Sequence, residues 1–149
     1  MNRRDTEALN ELIEVTIDSA DGYREASKNA SNPNFERLFE DRATSRNQIV
    51  RVLQEKARSL GGNPPDEGSM LASAHRMFVN LKNTVTGGDD KSVIEEVERG
   101  EDHIKAKYED ALKDPELSAE IRTTISSLYE GVRADHDRMR DLKHSLQRA

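Results

Sequence analysis

Apolar positions along this chain recur three and four residues apart, the period of one face of an α-helix. Leu9, Ile13, Thr16, Ile17, Ala20 and Tyr23 fall on a first stripe, and Phe35, Phe39, Arg42, Arg46, Ile49, Val50, Leu53, Ala57 and Leu60 on a second. Leu71, Ala74, Phe78, Leu81 and Val85 form a shorter third, with His75 at its edge. Ile94, Val97, Glu101, Ile104, Tyr108 and Ala111 make the fourth. Ile121, Ile125, Leu128, Val132, Met139 and Leu146 make the last, flanked midway by Asp135 and His136. Polar residues therefore interrupt three of the stripes near their middles: Arg42 and Arg46, then Glu101, then Asp135 with His136.

Turn and cap residues divide the pattern into four long helices and a shorter one. The first is predicted from about Thr6 to about Asn29, capped by Asp5 or Thr6. Asn32-Pro33 supplies a cap and a proline at the first helical position, opening a second helix that runs to about Leu60 and stops at Gly61-Gly62. Ser69 caps the short helix, which reaches about Val85 before Gly87-Gly88. The next begins at Asp89 or Asp90, where Ser92 and Glu95 also have capping-box spacing, and ends near Leu112. Asp114-Pro115-Glu116 opens the last, which continues to about Leu146. The links Ala30 to Asn32 and Lys113 to Asp114 are short, so each joins an antiparallel hairpin. About 29 residues separate the hairpins, and a 17-residue helix of roughly 25 Å can run back along a second helix of roughly 40 Å. The expected fold is all-α, a ferritin-like four-helix bundle of two antiparallel hairpins with an extra short crossover helix; a five-helix meander is the alternative.

Composition narrows the partners. The 149 residues suit a single domain, and 35% charged against 34% hydrophobic residues suits narrow apolar stripes better than a sheet core. The net charge of −6 is spread along mixed-sign faces without a basic stripe, so nucleic acid is not an expected partner. No run of about 18 apolar residues and no signal peptide is visible, so no membrane association is expected and the cytoplasm is the default location. With no cysteine, disulfides, thiol catalysis and Cys-ligated metals are excluded. The partner expected is a second copy of the chain or another protein.

The interrupted stripes carry the candidate chemistry: a buried polar layer of Tyr23, Arg42, Arg46, Glu101, Asp135 and His136. In one reading the arginine stems lie along apolar surface and their heads snorkel to water. In the other Arg46 is held inside by Glu101, since neither charge is tolerated alone in a dry interior. A di-iron site would take a Glu from each of two helices and Glu-x-x-His from each of the others, and Glu-x-x-His occurs nowhere in the chain. Asp141-x-x-His144 points away from the stripe, and the residue three before His136 is Arg133. What remains as a metal reading is one mononuclear site of Glu101, Asp135 and His136, with Glu98 or Asp21 at the edge, for iron, manganese or zinc; otherwise no cofactor is expected. His103 and His144 are expected to face water. No phosphate loop, nucleophile elbow or paired-carboxylate hydrolase signature is present, which leans away from an enzyme.

Several stretches resemble a known family: Leu9-Asn10-Glu11-Leu12-Ile13, Asp21-Gly22-Tyr23-Arg24-Glu25-Ala26, Leu60-Gly61-Gly62, Gly68-Ser69, His75-Arg76, Gly87-Gly88-Asp89-Asp90, Glu98-Arg99-Gly100-Glu101-Asp102, Tyr108 and His136-Asp137. They are similar to a bacterial four-helix-bundle family of the ferritin-like superfamily, catalogued as a domain of unknown function, over nearly the whole chain. The resemblance implies a ferritin-like fold, a bacterial source and a loose association with stress, and no established activity. Where metal-binding members of that superfamily carry ligands, this sequence places Thr16, Arg46, Ile49 and Arg133. The function expected is thus a non-catalytic helical-bundle protein with an Arg/Glu layer in place of a di-iron site. The alternative is a divergent metal-binding relative, a metal store or metal-dependent oxidoreductase.

Overall fold

The computed structural model describes residues 3–66 and 90–148. Its described elements are four helices, α1 (Arg3–Asn29), α2 (Pro33–Ser59), α3 (Asp90–Leu112) and α4 (Ala119–Arg148), with no strand among the described residues. The expected crossover helix from Ser69 to Val85, with His75, lies outside the described residues, as does the side chain of Leu146. Among the described residues no helix is long and apolar enough to cross a membrane.

Local chemistry sets the helix ends. Asn32 caps α2 by accepting from the Asn34 amide at 2.9 Å, with Pro33 behind it in the first turn. At the other end Gly61 takes φ 83°, while Gly61 N–H donates to Arg58 O and Gly62 N–H to Ala57 O, both at 2.9 Å. This double closure is the Schellman arrangement, and its left-handed residue is the reason a glycine stands there.

Two expected starts are corrected. α4 begins at Ala119 rather than at Asp114-Pro115, so the second link is Lys113 to Ser118. The Asp114 carboxylate turns back on the Glu116 amide (2.9 Å) and takes Arg4 (2.6 Å) on its other oxygen, closing a turn before the helix starts. Arg122 reaches back from α4 to the carbonyls of Leu112, Asp114 and Leu117 and holds that turn. Asp5 does not cap α1, which already runs from Arg3; it is buried, and its carboxylate accepts from the Ser118 amide at 2.8 Å. Asp90, in the first turn of α3, likewise serves the other hairpin, accepting from Ser31 N–H (2.7 Å) and Asn32 N–H (3.0 Å). Ser92 falls inside α3 and is not its cap.

These cross-links define the directions. The start of α1 lies against the α3–α4 turn and its end against the start of α3, so α1 and α3 are antiparallel. Lys56 meets Glu120 at 2.7 Å while Arg46 meets Asp135, so α2 and α4 are antiparallel too. It follows that α2 and α3 run parallel, and Ser59 and Asp90 lie at opposite ends of helices about 40 Å long.

The interior is two apolar clusters. One gathers Leu9, Leu12, Ile13, Leu53, Ile104, Tyr108, Ile121, Ile125 and their neighbours; the other gathers Tyr23, Ala26, Phe39, Val93, Ile94, Val97 and Met139. On every helix the two sets are separated by polar positions: Thr16 and Ser19, Arg46, Glu101, Asp135. The buried face of α1 is broader than the expected stripe and adds Leu12, Val15, Ser19 and Ser27, because α1 packs against both α2 and α3. A helix with two neighbours needs a wider apolar face than one stripe.

Candidate functional site

The layer between the clusters is built around Arg46. Its side chain is fully buried, and Nη2 lies 2.9 Å from the Glu101 carboxylate, itself 1% exposed. Nη2 also reaches Asp135 Oδ2 at 3.3 Å, and Nη1 donates to Ser19 Oγ at 2.7 Å. Nε has no hydrogen-bond partner. Burial alone would pull the Arg46 pKa down, but the facing Glu101 charge, reinforced by its hydrogen bond and by Asp135, raises it, so the group is held as a cation.

Tyr23 completes the layer from α1. Its hydroxyl donates to Glu101 Oε1 at 2.6 Å and accepts from Arg42 Nη1 at 3.3 Å. Both guanidinium carbons lie over its ring, Arg42 at 5.6 Å and Arg46 at 5.5 Å from the centroid, within reach of cation–π attraction. Burial, then the Glu101 charge, pushes the Tyr23 pKa well up and keeps the phenol protonated. Arg42 is buried and its Nε faces Asp135 Oδ2 at 3.5 Å. Two guanidiniums thus meet two carboxylates, and the layer is balanced in formal charge. One turn toward the other cluster, Thr16 Oγ1 donates to Leu12 O and lies 2.8 Å from the Tyr108 hydroxyl. Burial pushes Tyr108 up to about 12.

His136 is not in this hydrogen-bonded layer, a correction to its expected place. One residue past Asp135 on a helix means a turn of about 100°, and that carries the ring to the outer edge of α3. There Nε2 lies 2.5 Å from Asp102 Oδ1 and Nδ1 lies 3.1 Å from Asp137 Oδ1. Burial pulls this imidazole toward neutrality, and the two carboxylates outweigh it, so its pKa is raised. The set Glu101, Asp135 and His136 therefore does not converge on one point: the first two face arginines and the third faces other acids. Asp21 is exposed and pairs with Arg24. His144 and Asp141 are exposed, whereas His103 is only half-exposed, and burial with Lys107 nearby lowers its pKa.

Ser19 and Asp102 are the site residues missed from the sequence. Ser19 lies three residues after Thr16 and four before Tyr23, so its position on the stripe was visible, but a serine there reads as a small filler. Asp102 follows Glu101 and sits about 100° off the inward direction, and only the position of α4 makes it a partner.

The chain matches the model of a family described as a domain of unknown function, DUF2383, over residues 5–114. That span covers α1, α2 and α3 with Tyr23, Arg42, Arg46 and Glu101, and stops before α4. No curated protein matches the chain. The protein belongs to the DUF2383 family.

Proposed function

We propose that this protein is a non-catalytic ferritin-like bundle, structural or interaction-type in role and stress-associated, in which an ion-paired layer takes the place of a di-iron centre. The parallel directions of α2 and α3 support the ferritin-like reading. The observation that carries the rest is the Arg46 guanidinium, fully buried at mid-bundle and in contact with Glu101 and Asp135. Arginine stays protonated and cannot ligate a metal, so the positive charge that iron would bring is already supplied by the chain. The residues do not fit a di-iron group: α1 offers Thr16, Ser19 and Tyr23, α2 two cations, and each remaining helix one carboxylate to the layer. No step of iron oxidation can be routed through such a layer. On this reading the chain is one cytoplasmic domain whose partner is a second copy or another protein.

The test is metal analysis and an Fe(II)-oxidation assay on protein purified without chelator after growth with iron, manganese and zinc. The expected result is no Fe(II) oxidation, and metal content identical in wild type and in the doubly substituted Arg46→Met, Glu101→Leu protein. A stoichiometric ion that disappears in that double variant would overturn the proposal.

A further inference from the structure

Outside the ion-paired layer, α3 and α4 bring together a second set of polar groups. Glu98 and Asp102 are four residues apart on α3 and so share a face, and His136 of α4 stands opposite them. One ligand-type atom from each of the three lies within 4.8 Å of the other two. The Glu98 and His136 side chains are mostly covered, at 14% and 11% exposure, while Asp102 is 57% exposed. The group therefore has two sheltered walls and a side open to water.

We infer that Glu98, Asp102 and His136 form a mononuclear site for a first-row divalent cation, zinc being the ion the donor set suits best. Imidazole nitrogen with carboxylate oxygen favours zinc, iron or manganese over magnesium and calcium, which prefer oxygen alone. The orientation of the ring adds to the donor count. Asp137 Oδ1 lies 3.1 Å from Nδ1, the arrangement in which a carboxylate takes the Nδ1 proton and turns the Nε2 lone pair toward a metal. Nε2 faces Asp102 Oδ1 across 2.5 Å, a hydrogen bond whose proton a metal ion would replace.

Three donors on an ion at zinc-ligand distances lie about 3.0–3.4 Å apart. Asp102 must withdraw slightly and Glu98 close in, both by side-chain rotation. Lys143 Nζ now stands 3.4 Å from Glu98 Oε2, as a single-charge counter-ion on a flexible stem. A divalent ion displaces it without disturbing Arg46, Glu101 or Asp135, so the site is independent of the core layer.

The experiment is titration of chelator-treated full-length protein with zinc chloride by calorimetry, with cobalt(II) absorption as a second readout of ligand geometry. One ion per chain is expected, with the cobalt spectrum of a low-coordinate nitrogen–oxygen site. Asp102→Asn and His136→Ala should each weaken binding at least tenfold. Asp137→Asn, at a residue that meets the ring at Nδ1 and also faces Arg140, should weaken it by roughly 10–100-fold. Lys143→Gln should bind as tightly as wild type or tighter, and the Arg46→Met, Glu101→Leu protein should bind like wild type. Circular dichroism confirms folding of each, and the exposed Asp102→Asn stands as the test if His136→Ala does not fold. No zinc binding by the wild type, or undiminished binding by Asp102→Asn, would overturn the site and leave the ion-paired layer untouched. Loss confined to the core double variant would instead overturn the proposed function.

Discussion

Replacing Glu101 by glutamine takes one negative charge out of a layer that is otherwise balanced. The amide keeps an acceptor oxygen, but Tyr23 and Arg46 both donate to this position, at 2.6 and 2.9 Å, and one oxygen now serves both while an NH2 group faces donors. Breaking a buried pair from one side costs about 3–5 kcal/mol. Asp135, 24% exposed, still reaches Arg46 at 3.3 Å, which puts Glu101→Gln near the lower end, at about 3 kcal/mol. Arg46→Met is worse, because Glu101 at 1% exposure keeps only the Tyr23 hydroxyl; about 4–5 kcal/mol is expected. In the double variant Arg46→Met, Glu101→Leu the charges leave together. Tyr23 and Ser19 each lose a partner, at roughly 1 kcal/mol apiece, so the double should lie within about 2 kcal/mol of wild type. Domains of this kind have only about 5–15 kcal/mol of stability, so the singles should shift a urea midpoint far outside error. The assay is denaturant unfolding followed by circular dichroism on the four proteins, with slopes compared. Single variants within about 1 kcal/mol of wild type, or a double equal to the sum of the singles, would refute the reasoning, because the groups would then not depend on each other.

Two further outcomes are expected. Tyr108 holds its proton to about pH 12 in the folded chain against about 10 unfolded, so above pH 10 the unfolded state loses protons first and stability falls. Tyr108 accounts for up to about 3 kcal/mol of the fall between pH 10 and 12, so the fall in denaturant midpoints should be smaller in Tyr108→Phe than in wild type, the remainder coming from the likewise raised Tyr23, whereas a pH-independent midpoint in wild type would remove the basis for it. Asp5→Ala leaves the Ser118 amide without its acceptor and should cost about 2 kcal/mol, with Asp5→Asn costing less than half of that; equal losses would show that the carbonyl-type acceptor is not what matters.

Much of the fold was legible before any coordinates. Asn32-Pro33 and Gly61-Gly62 are local signals whose geometry depends on a few neighbouring residues, and the helix ends there follow from them. The inward positions of Arg42, Arg46 and Glu101 are likewise periodic facts, since 100° per residue fixes a side chain's direction about its own axis. Asp114-Pro115 misled because an identical cap-plus-proline signal can close a turn when Arg4, from the far end of the chain, occupies the carboxylate. Asp5 misled in the same way: it has the residue type of a local cap, and it serves the other hairpin instead. Asp90 does open α3 as the sequence predicts, and its carboxylate also reaches the other hairpin.

The pairings themselves belong to the tertiary structure. Periodicity states which way a side chain leaves its helix, but not how far the neighbouring helix has slid or turned. The contact of His136 with Asp102 depends on the rotation of α4 against α3, and the contact of Ser19 with Arg46 on the axial register of α1 against α2. The register of one hairpin against the other is held by bonds between residues far apart in sequence, Asp5 to Ser118 and Asp90 to Asn32 at opposite ends of the bundle. A chain alone specifies the faces of its helices because each face is a local, repeating property. It leaves open which charges meet, because that is set by the packing of whole helices, where every contact must be satisfied at once.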